Sequence, residues 1–284
     1  MQTRPADALR HDRGSLEPVR DVLALEAPLQ VSVNGVAFTV TMRTPGDDRR
    51  LARGLLHAEG ILAEDAAPEW ASCVDERLRL VRSIDARVDP AHVLREFEND
   101  RALLSTTSCG LCGVRDAGQI GADLPPLTVD GEVLDPARIP AMLDTMRARQ
   151  DAFERSGGCH AAAAFTLCGE MLALAEDVGR HNAVDKVVGA LLEEGVLARA
   201  RVLLVSGRLS YEIVFKAWRA RLPWLLAVSA PSSMAVLMGE RLGICVAGFC
   251  RGERATFYSH AARVLGGAST NLAKAPSPSP APGA

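Results

Sequence analysis

The sequence lacks the features of an exported or membrane-spanning protein. Its first residues are charged and contain no apolar run of about 7–15 residues, which a secretory signal requires. No stretch reaches the roughly 18 uninterrupted apolar residues of a membrane-spanning helix. The net charge of -3 gives no overall attraction to nucleic acids or anionic membranes. We therefore expect neither as a partner, and any anion-binding site must be local.

A disulfide framework is also missing from the sequence. The chain has seven cysteines, an odd number at irregular spacing, within 284 residues. A chain of this length can bury a full hydrophobic core without covalent cross-links. The cysteine pattern therefore predicts reduced thiols and a cytoplasmic protein.

Four regions are predicted along the chain. Residues 1–20 carry few large apolar groups and residues 266–284 are a Pro/Ala/Ser tail, so both ends are predicted to be disordered. Residues 21–136 are predicted to form a smaller α+β domain. It opens with LQVSVNGVAFTVTM, where alternating apolar residues around Asn34 and Gly35 predict a β-hairpin.

Residues 137–265 are predicted to form a second, α/β domain. Its strands CHAAAAFTL, MLALAE, RVLLVS, WLLAVS and ICVAGF are near-continuous apolar runs, and amphipathic helices lie between most of them. This pattern is typical of a sheet whose two faces are both covered. Asn182, Ser210 and Ser232 are the expected N-caps of three of the helices.

Arginines follow three of the four strands whose carboxyl ends can be located, and ligands of open α/β sheets bind at such ends. They are Arg180, Arg208, and Arg251 with Arg254, and we call these four residues the arginine rim. The planar guanidinium group matches phosphate oxygens. Each arginine could instead pair with a neighbouring acid: Glu176, Asp177, Glu212 or Glu253. Several arginines at one sheet edge favour a nucleotide or another phosphate-bearing cofactor, although the usual dinucleotide and P-loop glycine motifs are absent.

The stretch TTSCGLCG places Cys109 and Cys112 three positions apart among small residues. One interpretation is a zinc deaminase, which combines H-x-E with P-C-x-x-C. His57 and Glu59 match the first motif, but Ser108 stands where the second requires proline.

Two further interpretations use the thiols without a metal. A thioredoxin-like pair needs a helix N-terminus, whereas the glycine-punctuated sequence after Cys112 predicts a loop. In a sulfur relay, an accessible loop thiolate takes a terminal sulfur as a persulfide, and a second thiol can then release it. The spacing alone does not separate the relay from redox cycling.

The other cysteines are expected to be unreactive. Cys159 and His160 begin an apolar strand, where a satisfied core histidine is expected, and Cys250 is placed near the ligand without reacting. The remaining three are predicted to be small buried side chains: Cys73, Cys168 and Cys245.

Six motifs, in this order, resemble those of the FdhD family, the sulfur carriers required for formate dehydrogenase maturation. They are TTSCGLCG, GGCHAAAAF, EDVGRHNAVDKVVG, SGRLSYEIVFKA, SAPSSMAV and GFCRGER. EAPLQVSVNG and TPGDDRRLARGLLHAEGI resemble the first domain of the family as well. The resemblance therefore extends over about residues 24–260.

The resemblance implies a sulfur carrier that receives sulfane sulfur from a cysteine desulfurase. The sulfur would pass to the molybdenum or tungsten bis(molybdopterin guanine dinucleotide) cofactor before that cofactor enters the formate dehydrogenase catalytic subunit. The persulfide cysteine of the family corresponds to Cys109, with Cys112 as its partner. A cytidine deaminase-like three-layer second domain, a homodimer and no catalytic metal of the carrier's own are also implied.

The resemblance places the cofactor-binding stretch near the C-terminus, at Phe249, Cys250, Arg251, Gly252, Glu253 and Arg254. From the strand ends alone we add four residues as a hypothesis: Arg180, Ser206, Gly207 and Arg208. The alternative function is a CxxC dithiol–disulfide redox enzyme, followed by a zinc enzyme or zinc-stabilised module.

Overall fold

The structure is a computed structural model that describes residues 2–97 and 124–267. These residues form a two-stranded hairpin, a four-stranded small sheet and a six-stranded main sheet, with six α-helices around them. No helix in the described ranges is long and apolar enough to cross a membrane.

The N-terminal hairpin pairs β1 (Thr3–Asp12) with β2 (Ser15–Ala24) in antiparallel register. Arg13 and Gly14 join the strands with φ angles of 47° and 91°, as a type I′ turn requires. The predicted disorder of residues 1–20 is therefore wrong. Composition misses this hairpin because ten cross-strand residue pairs organise it without a large apolar core.

The small sheet has the strand order β4-β3-β6-β5. Its strands are β3 (Ala27–Val33), β4 (Val36–Arg43), β5 (Glu69–Asp75) and β6 (Leu80–Arg87). The predicted hairpin is confirmed, because Asn34 and Gly35 have φ angles of 50° and 81° between β3 and β4. Helix α1 (Asp48–Ala58) lays Leu51 and Leu55 in the same buried cluster as Leu29 and Ile84 of the sheet.

The main sheet has the order β12-β11-β10-β9-β7-β8. Its strands are β7 (His160–Phe165), β8 (Met171–Asp177), β9 (Val202–Val205), β10 (Trp224–Ala227), β11 (Cys245–Arg251) and β12 (Arg254–Phe257). β9, β10 and β11 are parallel, while β7 is antiparallel to both β8 and β9. β8 therefore runs in the same direction as β9, and the carboxyl ends of β8 to β11 share one edge.

Helices cover both faces of the main sheet. One face packs against α4 (Arg180–Glu193), α5 (Tyr211–Arg219) and α6 (Ser233–Leu242), and the other against α2 (Ile139–Arg147), which is followed by α3 (Asp151–Ser156). Along β9, Leu203 faces the first group and Leu204 faces α2, as strand alternation requires. The three-layer α/β arrangement predicted from the sequence is confirmed.

The second unit begins earlier than the predicted residue 137. Leu134 is fully buried with Met142 on the α2 face of the main sheet. Leu124 and Leu127 pack against the opposite face. Sequence periodicity does not detect residues 124–134, because they carry no helix or long strand.

Two of the three predicted N-cap positions are confirmed, and one of the two carries a capping hydrogen bond. Ser232 is the N-cap of α6, and its Oγ accepts a hydrogen bond from Ala235 N at 3.2 Å. Ser210 stands at the N-cap of α5 without a capping hydrogen bond from its side chain. Asn182 lies inside α4, whose N-cap is Gly179, so its prediction as a cap is wrong.

Helix α1 of the first unit crosses α4 of the second through two glycines. A Cβ atom on Gly54 would collide with the carbonyl oxygen of Asp185, and one on Gly189 would collide with that of Arg50. The two backbones therefore approach more closely than any other residue type would allow. This crossing fixes the two units against each other.

Candidate functional site

A cavity of ≈ 650 Å³ lies at the carboxyl edge of the main sheet, and we call it the edge cavity. Ser206, Val228, Cys250, Arg251 and Gly252 contribute from strand ends, and Cys159 and His160 from the start of β7. The α2–α3 region supplies Leu143, Asp144, Met146, Arg147, Gln150, Phe153, Gly157 and Gly158. The volume is in the usual range of small-ligand sites.

The edge cavity brings together four of the predicted cofactor residues: Ser206, Cys250, Arg251 and Gly252. Gly207 lies beside it, because a Cβ built there would be 3.3 Å from His160 Nδ1 and 3.6 Å from Arg180 Cβ. The other predicted residues do not line the cavity: Arg180 is half-buried, and the rest are exposed, namely Arg208, Phe249, Glu253 and Arg254.

Three of the acids that could have paired with the arginine rim have other partners. Glu176 accepts hydrogen bonds from Ala152 N at 2.7 Å and Phe153 N at 2.8 Å. Asp177 pairs with Lys186 at 2.8 Å, and Glu212 lies 3.7 Å from His181. Glu176 and Asp177 are thus engaged elsewhere, whereas Glu212 still feels the charge of Arg180, which helps to lower the pKa of its carboxyl.

Across residues 2–97 and 124–267, no arginine of the rim has a carboxylate oxygen within 4.0 Å of its guanidinium nitrogens. Arg180 Nε is buried and has no hydrogen-bond partner within that part of the chain. A buried donor without an acceptor is costly. Its position beside the cavity therefore suits an anionic ligand.

Two histidines near this edge are held neutral. Burial lowers the pKa of His160, and the charge of nearby Arg180 lowers it further. Burial and Arg180 likewise lower the pKa of His181 to about 4. Both rings can therefore exchange hydrogen bonds at neutral pH without adding positive charge.

Strand β11 has an unusual backbone at Phe249, near its carboxyl end. This residue has a φ angle of 54°, at a register shift between Gly248 and Arg251 in the pairing with β12. Its N–H donates to Ser229 O at 3.0 Å, while its ring remains 43% exposed. A non-glycine residue in the left-handed region is uncommon and often accompanies a functional site. This irregularity in β11 thus presents Phe249 to solvent and turns Cys250 inward.

The thiols that line the edge cavity are poor nucleophiles. Burial raises the pKa of Cys250 to about 11 and also raises the pKa of Cys159. The thiolate is the reactive form of cysteine. Both cysteines therefore stay protonated at neutral pH.

The remaining described cysteines correct part of the sequence prediction. Cys245 is buried as expected, and burial raises its pKa to about 12. Cys73 and Cys168 are exposed, so their predicted burial is wrong. Cys73 lies on β5, an edge strand of the small sheet, and Cys168 lies in the turn between β7 and β8.

Behind the arginine rim, the DVGRHN motif joins the two units through buried polar contacts. Asn182 Nδ2 donates to Met42 O at 2.7 Å, and Val178 N donates to Thr44 Oγ1 at 3.0 Å. Lys186 Nζ donates to Thr44 O at 2.8 Å. Sequence reasoning missed Thr44 and Lys186; a lysine within the apolar run of α4 was the available signal. These contacts hold the start of α4, where Arg180 lies.

His57 of the H-x-E motif has a structural partner. Its Nε2 lies 3.2 Å from the carbonyl oxygen of Arg219, in the contact between α1 and α5. The ring is buried, and burial lowers its pKa to about 4. Its position agrees with a satisfied core histidine.

Cys109 and Cys112, the predicted persulfide pair, lie outside the described residues. Their roles remain predictions. The same holds for the C-terminal tail beyond residue 267.

Comparison with known proteins adds a family and a fold. A family-wide sequence profile described as the FdhD/NarQ family matches residues 24–265. A relative from Streptomyces avermitilis, named sulfur carrier protein FdhD, is 42% identical and aligns with 92% of this chain and 95% of its own length. Relatives of the same name include one from Mycobacterium tuberculosis at 40% identity (86% of this chain, 92% of its own) and one from Anaeromyxobacter dehalogenans at 42% (87% and 89%).

A solved structure has a similar fold. It is described as that of a formate dehydrogenase accessory protein from Desulfotalea psychrophila, and the TM-score is 0.73. The alignment covers 93% of this chain and 100% of that one, at 20% sequence identity. At this identity the likeness supports the arrangement of strands and helices.

Proposed function

The chain belongs to the FdhD/NarQ family of sulfur carriers, and from that premise we propose that it sulfurates the molybdenum cofactor of a formate dehydrogenase. In this proposal Cys109 receives sulfane sulfur from a cysteine desulfurase. The sulfur then passes to a molybdenum or tungsten bis(molybdopterin guanine dinucleotide), which is cargo held by the protein. The cargo afterwards enters the formate dehydrogenase catalytic subunit, and the carrier acts as a cytoplasmic homodimer.

The edge cavity with its unpaired arginine rim is the observation that supports this function best. The cargo carries phosphate groups, which suit Arg251 in the cavity wall and the unsatisfied Nε of Arg180 beside it. The N-termini of α4 and α5 begin at the same edge and add backbone N–H donors.

The size of the cavity suggests how the cargo would lie. At ≈ 650 Å³ it suits one nucleotide moiety better than the whole bis-dinucleotide. The rest of the cargo would then lie over the exposed residues outside the cavity, among them Phe249, Arg208 and Arg254. In this proposal the predicted residues outside the cavity contact the part of the cargo that the cavity does not enclose.

The sulfur steps proposed for Cys109 follow thiol–disulfide exchange. Its thiolate attacks the outer sulfur of the desulfurase persulfide, the sulfur–sulfur bond of the donor breaks, and the donor cysteine leaves as a thiolate. Cys109 then holds the sulfur as a persulfide. In a direct transfer the persulfide bond breaks, Cys109 leaves as a thiolate, and the cargo supplies the two electrons that reduce the sulfur. Alternatively, the Cys112 thiolate attacks the inner sulfur, the terminal sulfur leaves as sulfide for the cargo, and a Cys109–Cys112 disulfide remains.

Intact-mass measurement tests the sulfur step. The full-length protein is incubated with a cysteine desulfurase and cysteine, and we expect a gain of one sulfur atom that a reductant removes. Cys109→Ser should abolish the gain, whereas Cys73→Ser, at an exposed thiol on β5, should retain it. A gain that persists in Cys109→Ser contradicts the proposed carrier residue. No gain, together with ready disulfide cycling, favours the redox enzyme.

Binding of GDP tests the cargo site independently. Arg251→Glu and Arg208→Glu should both weaken GDP binding, because each reverses a charge at the sheet edge. Arg77→Glu, at the exposed turn between β5 and β6, makes the same charge change away from the cavity and should leave binding unchanged. Unchanged affinity in Arg208→Glu removes that residue from the site, and absence of binding by the wild type removes the cavity from the proposal.

A further inference from the structure

The edge cavity has two chemically different walls. The wall formed by strand ends is polar and basic, with His160, Ser206 and Arg251. The opposite wall comes from the α2–α3 region and carries the large apolar side chains Met146 and Phe153. A nucleotide would therefore lie with its phosphates toward the sheet edge and its base toward the helices.

Asp144 on α2 is the only acidic residue among the residues that line this cavity. An acid is unexpected in a site for phosphates, because like charges repel. Over the described parts of the chain its carboxylate forms no hydrogen bond or ion pair, and its side chain is exposed. Arg147, on the next turn of the helix, instead pairs with Glu154 at 3.2 Å. Asp144 thus has an unengaged carboxylate at the base end of the cavity.

The flat groups on the same wall can hold a base without identifying it. The guanidinium carbon of Arg147 lies 4.8 Å from the centroid of the Phe153 ring. Stacking on aromatic and guanidinium planes is available to every nucleobase. Any preference for one base must therefore come from a hydrogen-bonding group. Asp144 lies on the same wall and can accept hydrogen bonds from the base.

We infer that Asp144 determines base specificity by accepting hydrogen bonds from N1–H and the N2 amino group of guanine. An ionised carboxylate has two acceptor oxygens and no donor, which matches these two adjacent donors. Adenine presents an acceptor at N1, and hypoxanthine lacks the N2 amino group. The inference rests on the proposed function, since it requires a guanine nucleotide in the edge cavity.

Titration calorimetry of the full-length protein with GDP, IDP, ADP and XDP tests this assignment. A bidentate contact to a base edge discriminates by about 1–3 kcal/mol, so the wild type should bind GDP roughly 5- to 140-fold more tightly than the other three. Asp144→Asn should lose about that factor for GDP and gain affinity for XDP. The asparagine NH₂ can donate to the C2 carbonyl of xanthine, and its oxygen can still accept from N1–H. General damage to the fold cannot produce such a reversal.

Two variants serve as controls in the same experiment. Asp130→Asn makes the same change at an exposed aspartate outside the cavity and should keep the wild-type order of affinities. Arg251→Glu, at the phosphate end, should weaken GDP and XDP binding alike. If the wild type binds GDP but Asp144→Asn keeps its preference, only the role of Asp144 is overturned. If the wild type binds none of the nucleotides, the proposed cargo site is overturned as well.

Discussion

Lys186 Nζ lies 2.8 Å from Asp177 Oδ2, and neither side chain is exposed to solvent. The same carboxylate oxygen accepts a hydrogen bond from Thr44 N at 3.1 Å. The lysine also donates to the carbonyl oxygens of Thr44 at 2.8 Å and Glu176 at 3.2 Å. The ion pair therefore ties the chain just after β4 to the carboxyl end of β8.

Lys186→Met should lower the free energy of unfolding by about 3–5 kcal/mol, because it leaves the buried Asp177 carboxylate without its counter-charge. Urea denaturation measures this change. Arg199→Ala removes an exposed ion pair to Glu170 and should cost no more than ~1 kcal/mol. An equal loss of unfolding free energy in the two variants would show that the buried Lys186–Asp177 pair stabilises the protein no more than an exposed pair does.

Gly54→Ala and Gly189→Ala should each destabilise the protein. Alanine ordinarily favours a helix over glycine by about 1 kcal/mol, so free helices would gain stability. Here the new methyl group would strike a carbonyl oxygen of the neighbouring helix, and overpacking costs about 1–3 kcal/mol. The change in the thermal unfolding midpoint shows which effect is larger, and we expect a lower midpoint. A higher midpoint in either variant would mean that α1 and α4 can separate without loss.

His57 should lower the free energy of unfolding as the pH falls from about 6.5 toward 4, against the opposite effect of Asp185, whose pKa burial raises to about 6. Burial, aided by the charge of Arg53, lowers the pKa of His57 from its ordinary value of about 6.5 to about 4. Between these values the unfolded chain binds a proton that the folded chain does not. The contribution of His57 to the free energy of unfolding is therefore fully present above pH 6.5. It falls by roughly 3 kcal/mol as the pH is lowered to about 4.

The slope of the unfolding free energy against pH gives the measurement. His57→Gln can still donate to the carbonyl of Arg219 but has no titratable ring, so its slope should be shallower than that of the wild type. His181, whose pKa is also lowered to about 4, would supply part of the slope that remains. His11→Gln, in the exposed N-terminal hairpin, should retain the wild-type slope. An unchanged slope in His57→Gln would contradict the assignment.

Alkylation of the native protein should separate the described cysteines into two groups. Cys73 and Cys168 are exposed and should react with iodoacetamide at pH 8 within minutes. Cys159, Cys245 and Cys250 are buried with raised pKa values and should react only after denaturation. Peptide mass spectrometry identifies the modified sites. Rapid labelling of Cys250 in the folded protein would contradict its inward position.

Sequence patterns were sufficient where one local rule decides the structure. The Asn34-Gly35 dipeptide specifies its hairpin, and the alternation of apolar strands with helices specifies the three layers. The shared edge of β8 to β11 also follows, because parallel strands place their carboxyl ends together. Membership of the family was evident from the ordered motifs, and the comparisons confirm it.

Sequence patterns were insufficient where distant groups decide the structure. Glu176 lies four positions before Arg180 in the sequence, a spacing that predicts an ion pair. In the structure its carboxylate instead accepts hydrogen bonds from the backbone N–H groups of Ala152 and Phe153. Asp144 shows no motif, and only the fold places it in the wall of the edge cavity. Such partners become visible only when segments far apart in the chain are brought together.

Phe97 and Leu124 border the stretch that contains Cys109 and Cys112, and they belong to different cores. Phe97 is buried with Phe38 in the first unit, whereas Leu124 packs on the second. The separation between these two attachment points depends on how the two units pack, and the glycine crossing of α1 and α4 is one of the contacts between them. A methyl group added at Gly54 would push α1 away from α4, and it would thereby change the distance between Phe97 and Leu124, the residues on either side of the cysteine-bearing stretch.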